Sequence, residues 1–421
     1  MYGVFGSNND RVIFQCFRNI YFKNERSPNS ERFYSIFKWN KILSLKSLNV
    51  DFGARTNLFE ISLLFSNTLQ SLVLQGLYIT KNDFDHITTK CIHLEYLIID
   101  MPHLKCSVEG ISNLKKLKSL ELTLSRIPNP EHFICCKYLT DLSLPSTVVD
   151  AGFLNVILQS KKIKKLEFKG LTPKCSLKDV ERHLLENKVL KRFRVWGNLF
   201  KSDNAVVLSK SNTLKHIVLS CRSQQLRIIE QLFVMTPLSS HLTNLTLQIH
   251  RAISIDIAQV MSENLKSLRT LTILDAIIHP KSLEVLSKMS SLKRLLMCGE
   301  IDDASVQVII NSFKSLSSLA IRNTSLSKSK ITDIGISNIT NLNQLYELSI
   351  QDTMISDTGI KCILENASIR RLNILNTLFT VEGLSKVLKE NHTIKAIVVG
   401  PRGKKKLEDV FPQIQFIESE M

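Results

Sequence analysis

Residues 345 to 375 read LYELSIQDTMISDTGIKCILENASIRRLNIL, with leucine or isoleucine at 345, 348 and 350 and again at 369, 372 and 374. The same apolar-x-x-apolar-x-apolar triplet occurs fifteen times, from Leu45-Leu48-Val50 through Leu139-Leu142-Leu144 and Leu268-Leu271-Ile273 to Ile394-Ile397-Val399. A degraded copy, Phe17-Ile20-Phe22, precedes them. Side chains in a strand alternate between two faces, so the last two apolar residues of each triplet share a face. The first sits in the corner that leads into the strand. Stacking such units predicts a parallel sheet with a continuous apolar spine, which no single unit buries alone. Between triplets the period changes. After S-D-T-G-I, the positions Ile360, Ile363, Leu364 and Ala367 follow helical spacing, and Ser356 or Asp357 is placed to cap the helix N-terminus. Related connectors recur as VVDAGFLNVIL (148–158), IDDASVQVII (301–310), ITDIGISNI (331–339) and FTVEGLSKVL (379–388). Each repeat is therefore predicted to run strand, turn, helix, return. Helices take more room than strands, so the expected architecture is an α/β solenoid curved into a horseshoe. The parallel β-sheet then forms the concave face and the helices the convex one.

Self-similarity of this motif at a period of roughly 20–29 residues is the mark of leucine-rich repeats. Many extracellular families of that class carry an asparagine eight residues after the first leucine. Here the slot holds Ser125, Thr147, Asn198, Thr324, Thr353 or Thr377, and a threonine hydroxyl replaces part of what the amide would bond. Together with the helical S-D-x-G-I connector, this pattern resembles the ribonuclease-inhibitor-like superfamily. It is also similar to the repeat arrays of F-box ubiquitin-ligase substrate receptors. The resemblance covers about residues 45 to 400 and implies an architecture more than an activity. Two departures stand out. The first 44 residues, including SPNSERFYSIFKWNKI, carry no F-box helical pattern, and ribonuclease inhibitors are acidic whereas this chain is basic. The expected division is an N-terminal cap with a degenerate repeat at 1–44, about fifteen repeats at 45–400 and a C-terminal cap at 401–421. The last reads as a turn, a brief helix and a closing strand, QIQFI.

Composition adds a sign to this picture. Lys and Arg number 55 against 38 Asp and Glu, for a net charge of +17. Such a balance attracts acidic proteins, RNA or anionic membrane and says nothing about fold. The nine cysteines are scattered except for Cys135 and Cys136, and their odd number fits a reducing compartment better than secretion. The N-terminus MYGVFGSNNDRVIFQCF lacks an apolar signal region, and no apolar run reaches the length of a membrane span. The expectation is a cytoplasmic protein, or a nuclear one, with no transmembrane segment.

Candidate chemistry is sparse. The ten histidines are dispersed, with no H-x-x-x-H or C-x-x-C pair and no G-x-S-x-G nucleophile elbow. Adjacent Cys135 and Cys136 do not face one metal from a regular backbone and read as packing residues. In IKAIVVGPRGKKKLEDVF a Gly-Lys turn follows a strand, where a phosphate loop would sit. Only two residues separate Gly400 from Gly403, however, and Lys405 stands where the Walker pattern needs a hydroxyl. It reads as a basic capping turn. No enzyme activity, metal or cofactor is expected.

The concave face is the more informative surface. Residues two, four and six after each first leucine are predicted to point into it. Early repeats place Asp51, Asp100, Glu121 and Asp141 there, and the next ones Lys165, Glu167, Lys169, Arg192, Arg194 and Trp196. Later repeats are small or apolar with spaced arginines, among them Arg294, Leu296, Arg322 and Arg371. Charge thus changes from acidic to basic near residue 160, which suits an oriented protein partner. Tryptophan and arginine, the commonest hot-spot residues, coincide at 192–196, where Trp196 reads equally as a hot spot or as a partly buried filler. The cations that directly follow the first leucine, such as Lys46, Lys118, Lys215, Arg269 and Lys293, would line one lip. They read as solvated corner residues, with an anion-binding edge as the rival reading. The functional expectation is a non-catalytic protein-binding scaffold. The partner-binding candidates are Lys165, Lys169, Arg192, Arg194, Trp196, Arg294, Arg322 and Arg371. The alternatives are a substrate-recognition subunit of a ubiquitin ligase and a binder of nucleic acid or acidic membrane.

Overall fold

The computed structural model describes residues 2–5, 19–23, 46–51, 68–75, 79–100, 108–124, 126–195, 202–221, 231–234, 236–323 and 329–418. They belong to two units, Met1–Leu199 and Phe200–Met421. In the first, each strand from Tyr2–Phe5 to Arg192–Val195 pairs in parallel with the next along the chain. In the second, the same holds from His216–Cys221 to Gln415–Glu418. Pairing matches triplet to triplet. Leu97, Leu120, Leu142, Leu166 and Phe193 form one buried row, and Leu271, Leu295, Leu319, Leu348 and Leu372 form another. The chain is an α/β leucine-rich-repeat solenoid, with a parallel sheet on one side of each unit and helices on the other. The degraded triplet also joins the stack, since Ile20 pairs with Leu48 and Phe22 with Val50. A further strand, Tyr2–Phe5, lies beside it in the same register without any triplet to announce it.

One backbone device recurs at the corner before most of the described strands. The carbonyl of Lys164 accepts the N–H groups of both Lys191 and Arg192, at 2.8 and 3.0 Å. Lys118, Lys215, Arg269, Lys293 and Arg370 do the same toward the following repeat. The main chain of this position is committed to the stack while its side chain points to water, which accounts for the recurrent lysine or arginine.

The helical layer has its own inter-repeat bonds, and they explain S-D-T-G-I. Ser356 caps the helix Asp357–Glu365 by accepting from the Thr358 N–H. Asp357 instead reaches forward, accepting the backbone N–H and the hydroxyl of Thr380, the next N-cap, both at 2.7 Å. Asp333 holds Ser356 in the same way, and Asp303 holds Thr332. The carboxylate occupies space that a side chain on the next helix would need. A Cβ on Gly359 would lie 2.3 Å from Asp333 Oδ1, and one on Gly383 2.1 Å from the Asp357 carboxyl carbon. Glycine is required there by close approach. The ladder stops where its partner does: Val381 replaces the aspartate, and the next cap is Gly400, which has no side chain to hold.

The expected threonine slot is also used. Thr147 is buried and donates to Leu124 O at 2.9 Å, whereas Thr353 and Thr377 bond back to their own strands. Ser125, Asn198 and Thr324 lie outside the described residues. Asparagines act elsewhere, three residues before the first apolar residue of a triplet. Asn366 donates to Ile339 O and Leu342 O and accepts from the Ser368 N–H; Asn187 and Asn391 make equivalent bonds. Cys91 and Cys136 occupy the same buried position, where burial pushes their thiols up to about 12 and about 11, so both stay protonated and unreactive. Cys135, beside the latter, is exposed.

Candidate functional site

Along most strands, such as Ser119–Thr123, Arg192–Val195, Asn244–Ile249 and Arg294–Glu300, buried residues alternate with half-buried or exposed ones, so one face of the sheet is covered by helices and the other is open. The strand His216–Cys221 departs from this, with Ile217, Val218, Leu219 and Ser220 all buried. The open face is the candidate site. In the first unit it gathers Lys165, Arg192 and Arg194 on two adjacent strands, with Lys165 beside Arg192 and Glu167 beside Arg194. Lys169 lies further along the same strand as Lys165 and is exposed. Trp196 lies outside the described residues. In the second unit, exposed Arg294 and Arg322 stand on adjacent strands, and Arg371 begins the strand Arg371–Asn373. The seven described residues of the eight expected therefore form two groups, one in each unit.

Register changes what their charges mean. Acidic and basic residues that are one repeat apart in sequence become neighbours across strands. Lys165 pairs with Asp141, its cross-strand partner, and Arg194 pairs with Glu167 at 3.1 Å. The Arg194 and Glu167 side chains are only 28% and 18% exposed, so this pair is shielded by the face itself. Glu121 lies on the same row two strands away, and its carboxyl is raised first by burial and then by Glu167. Arg192 is lowered by burial and by Arg194 beside it. The step from acidic to basic seen along the chain is in this unit a set of neutralising contacts.

The second unit differs. Arg322 bonds Asp352 at 2.8 Å, and Asn376 donates to the other oxygen of the same carboxylate at 2.9 Å. Arg294 and Arg371 make no ion pair among the described residues. Leu296, 38% exposed, lies between Thr272 and Ala320, with Leu274 and Cys298 two residues further along their strands. Asp352 and Asp275 escaped the sequence reading because they sit in left-handed backbone, φ 55° and 58°, the first just past the strand Glu347–Gln351 and the second at an irregularity within the strand Thr270–Ile277. An aspartate seven residues after the first leucine of these two triplets, Leu268 and Leu345, was the available signal. Among the described residues no group of three or more His, Cys, Asp or Glu is placed to hold a metal. No described helix is long and apolar enough to cross a membrane.

The chain is similar in fold to solved repeat proteins. An internalin (inlF) from Listeria monocytogenes aligns at 16% identity over 74% of this chain and 82% of its own, with a TM-score of 0.41. The TLR13–ssRNA13 complex aligns at 15% identity over 94% of this chain and 61% of that one, with a TM-score of 0.46. No family model and no curated protein matches the sequence. The fold assignment rests on register and period, and the likenesses add no function to it.

Proposed function

We propose that this protein is a non-catalytic scaffold that binds another protein on the open face of its sheet, with the second unit as the main contact. The observation that carries this is Leu296, exposed on the open face of its strand two residues beyond Arg294, an exposed arginine with no ion pair among the described residues. An apolar anchor flanked by Arg294 on its own strand and Arg322 diagonally on the next fits a partner that presents carboxylates beside an apolar side chain. Arginines without internal partners lose no existing ion pair when they bind one. In the first unit Lys169 and Arg192 supply further cations, while Lys165 and Arg194 are already engaged. The test is a photo-crosslinking amino acid at position 296, compared with one at exposed Glu382 on the helix Val381–Glu390. The expected result is one defined protein captured from position 296, whose purified form loses about tenfold in affinity, or about 1.4 kcal/mol, with Leu296→Glu. Capture from position 382 alone, or unchanged affinity of the variant, would move the binding surface to the helices.

A further inference from the structure

A second surface lies at the corners that lead into successive strands of the second unit. A cleft of about 350 Å³ opens there, at the low end of the range for small-molecule sites. Four basic side chains line it: Lys215, His241, Lys266 and Arg269. The rest of the lining is serine and threonine, with no carboxylate and no apolar or aromatic side chain. Elsewhere on these corners cations find acids, as Lys118 does with Glu95 at 2.6 Å. Lys215 and Arg269 have no ion pair among the described residues.

The repeat explains the convergence. Lys215, Thr243 and Arg269 each directly follow the first apolar residue of consecutive triplets, and the corner carbonyl ladder runs from Lys215 to Thr243 and from Thr243 to Arg269. Successive strands step by about 4.8 Å, so Lys215 and Arg269 are brought two steps apart on one edge. The floor between them is pinned. Ser267 donates to Ser240 O at 2.8 Å, and Thr243 donates to Lys215 O at 3.1 Å. Lys266 spends one N–H on Ser262 O at 2.7 Å and keeps two. His241 Nδ1 lies 2.8 Å from Ser240 Oγ and 3.0 Å from Pro237 O, so this nitrogen is engaged within its own helix turn. Nε2 is left for a ligand's oxygen.

We propose that this cleft binds a phosphate monoester, carried by a small soluble molecule or by a lipid headgroup. Two exposed cations, an ammonium with spare donors and an imidazole match a dianion with several acceptor oxygens better than a single carboxylate. The planar guanidinium of Arg269 suits paired oxygens. A nucleic-acid strand fits less well, since no aromatic side chain lines the cleft for a base to stack on. The site is independent of the sheet-face reading.

The test is calorimetry of the full chain with inorganic phosphate. Alongside it runs co-sedimentation with phosphatidylcholine vesicles that contain or lack phosphatidylinositol 4-phosphate. Arg269→Gln and Lys215→Gln are compared with Lys293→Gln, which sits at the same corner position one repeat beyond the cleft. All three side chains are exposed, and thermal unfolding checks that each variant folds. Phosphate binding at millimolar concentration is expected, weakened by about tenfold or more in the first two variants and unchanged in the third. Vesicle binding that phosphate displaces assigns the group to a headgroup, and phosphate binding without vesicle binding assigns it to a soluble ligand. Equal losses in all three variants, or no phosphate binding, overturn the proposal. So does RNA binding that Arg269→Gln abolishes and phosphate fails to displace.

Discussion

The open faces of the two units use similar residues to opposite effect. In the first, basic side chains stand one strand from acidic ones, and Lys165–Asp141 and Arg194–Glu167 neutralise each other within the face. In the second, Arg294 stands between Thr270 and Ser318, Arg371 stands across from Glu347, neither arginine makes an ion pair among the described residues, and Leu296 is exposed two residues beyond Arg294. What a charge on a repeat array offers to a partner is decided by whether it closes an ion pair with the residue one repeat away at the same strand position, as Lys165 does with Asp141. The number of lysines and arginines in a stretch does not decide it.

The largest effect tests whether only one face is open. Leu348 is buried in the spine row between Leu319 and Leu372, so Leu348→Asp places an unpartnered carboxylate in the core and should cost several kcal/mol, on the order of 3–5. Ser349→Asp, on the opposite face of the same strand, should cost no more than about 1 kcal/mol. Equal melting temperatures for the two variants would put the register in error. A smaller effect tests the helical backing of the second unit. In Gly359→Ala the new methyl meets Asp333 Oδ1, and a loss of roughly 1–3 kcal/mol is expected. Adding Asp333→Ala should recover part of it, because the nearest obstacle is then gone while Ile355 Cγ2, at 2.7 Å, remains. Strict additivity in that double-mutant cycle would remove the ladder from the account.

Smaller again is the difference between the two faces themselves. Arg194→Met strips a partly buried carboxylate of its cation and should destabilise by about 1 kcal/mol, whereas Arg294→Met should stay within about 0.5 kcal/mol. The smallest effect is a pH dependence. Burial and Glu167 raise the Glu121 carboxyl, so the folded chain keeps that proton to a higher pH than the unfolded chain does. Its contribution therefore turns unfavourable as pH climbs from the ordinary carboxylate range through the raised value. Glu121→Gln should melt slightly higher than the parent protein at neutral pH, and the gap should close in acid. A gap that widens in acid would reverse the sign.

The spine was legible in the sequence because burial on one side of a strand imposes a period of two, and fifteen copies make that period unmistakable. The connector helices were legible for the same reason at their own period. Contacts between repeats were hidden. Asp141 and Lys165, or Asp357 and Thr380, are more than twenty positions apart, and only register brings them together. Ser356 was readable as a cap, yet Asp357 serves the next helix. The asparagine ladder had a signal, N-x-x-L or N-x-x-I before three triplets, that a search eight residues downstream passes over. His241 and Lys266 occupy neighbouring but unlike positions in consecutive repeats, and no single-repeat motif contains both.

The central claim is that free cations bind and paired ones do not. Once the protein captured from position 296 is purified, its affinity for Arg294→Ala and for Lys165→Ala decides the matter directly. Arg294→Ala is expected to weaken binding by about tenfold, with Lys165→Ala within about twofold of the parent chain. Loss of binding in Lys165→Ala with Arg294→Ala unchanged contradicts the account and returns the binding site to the first unit.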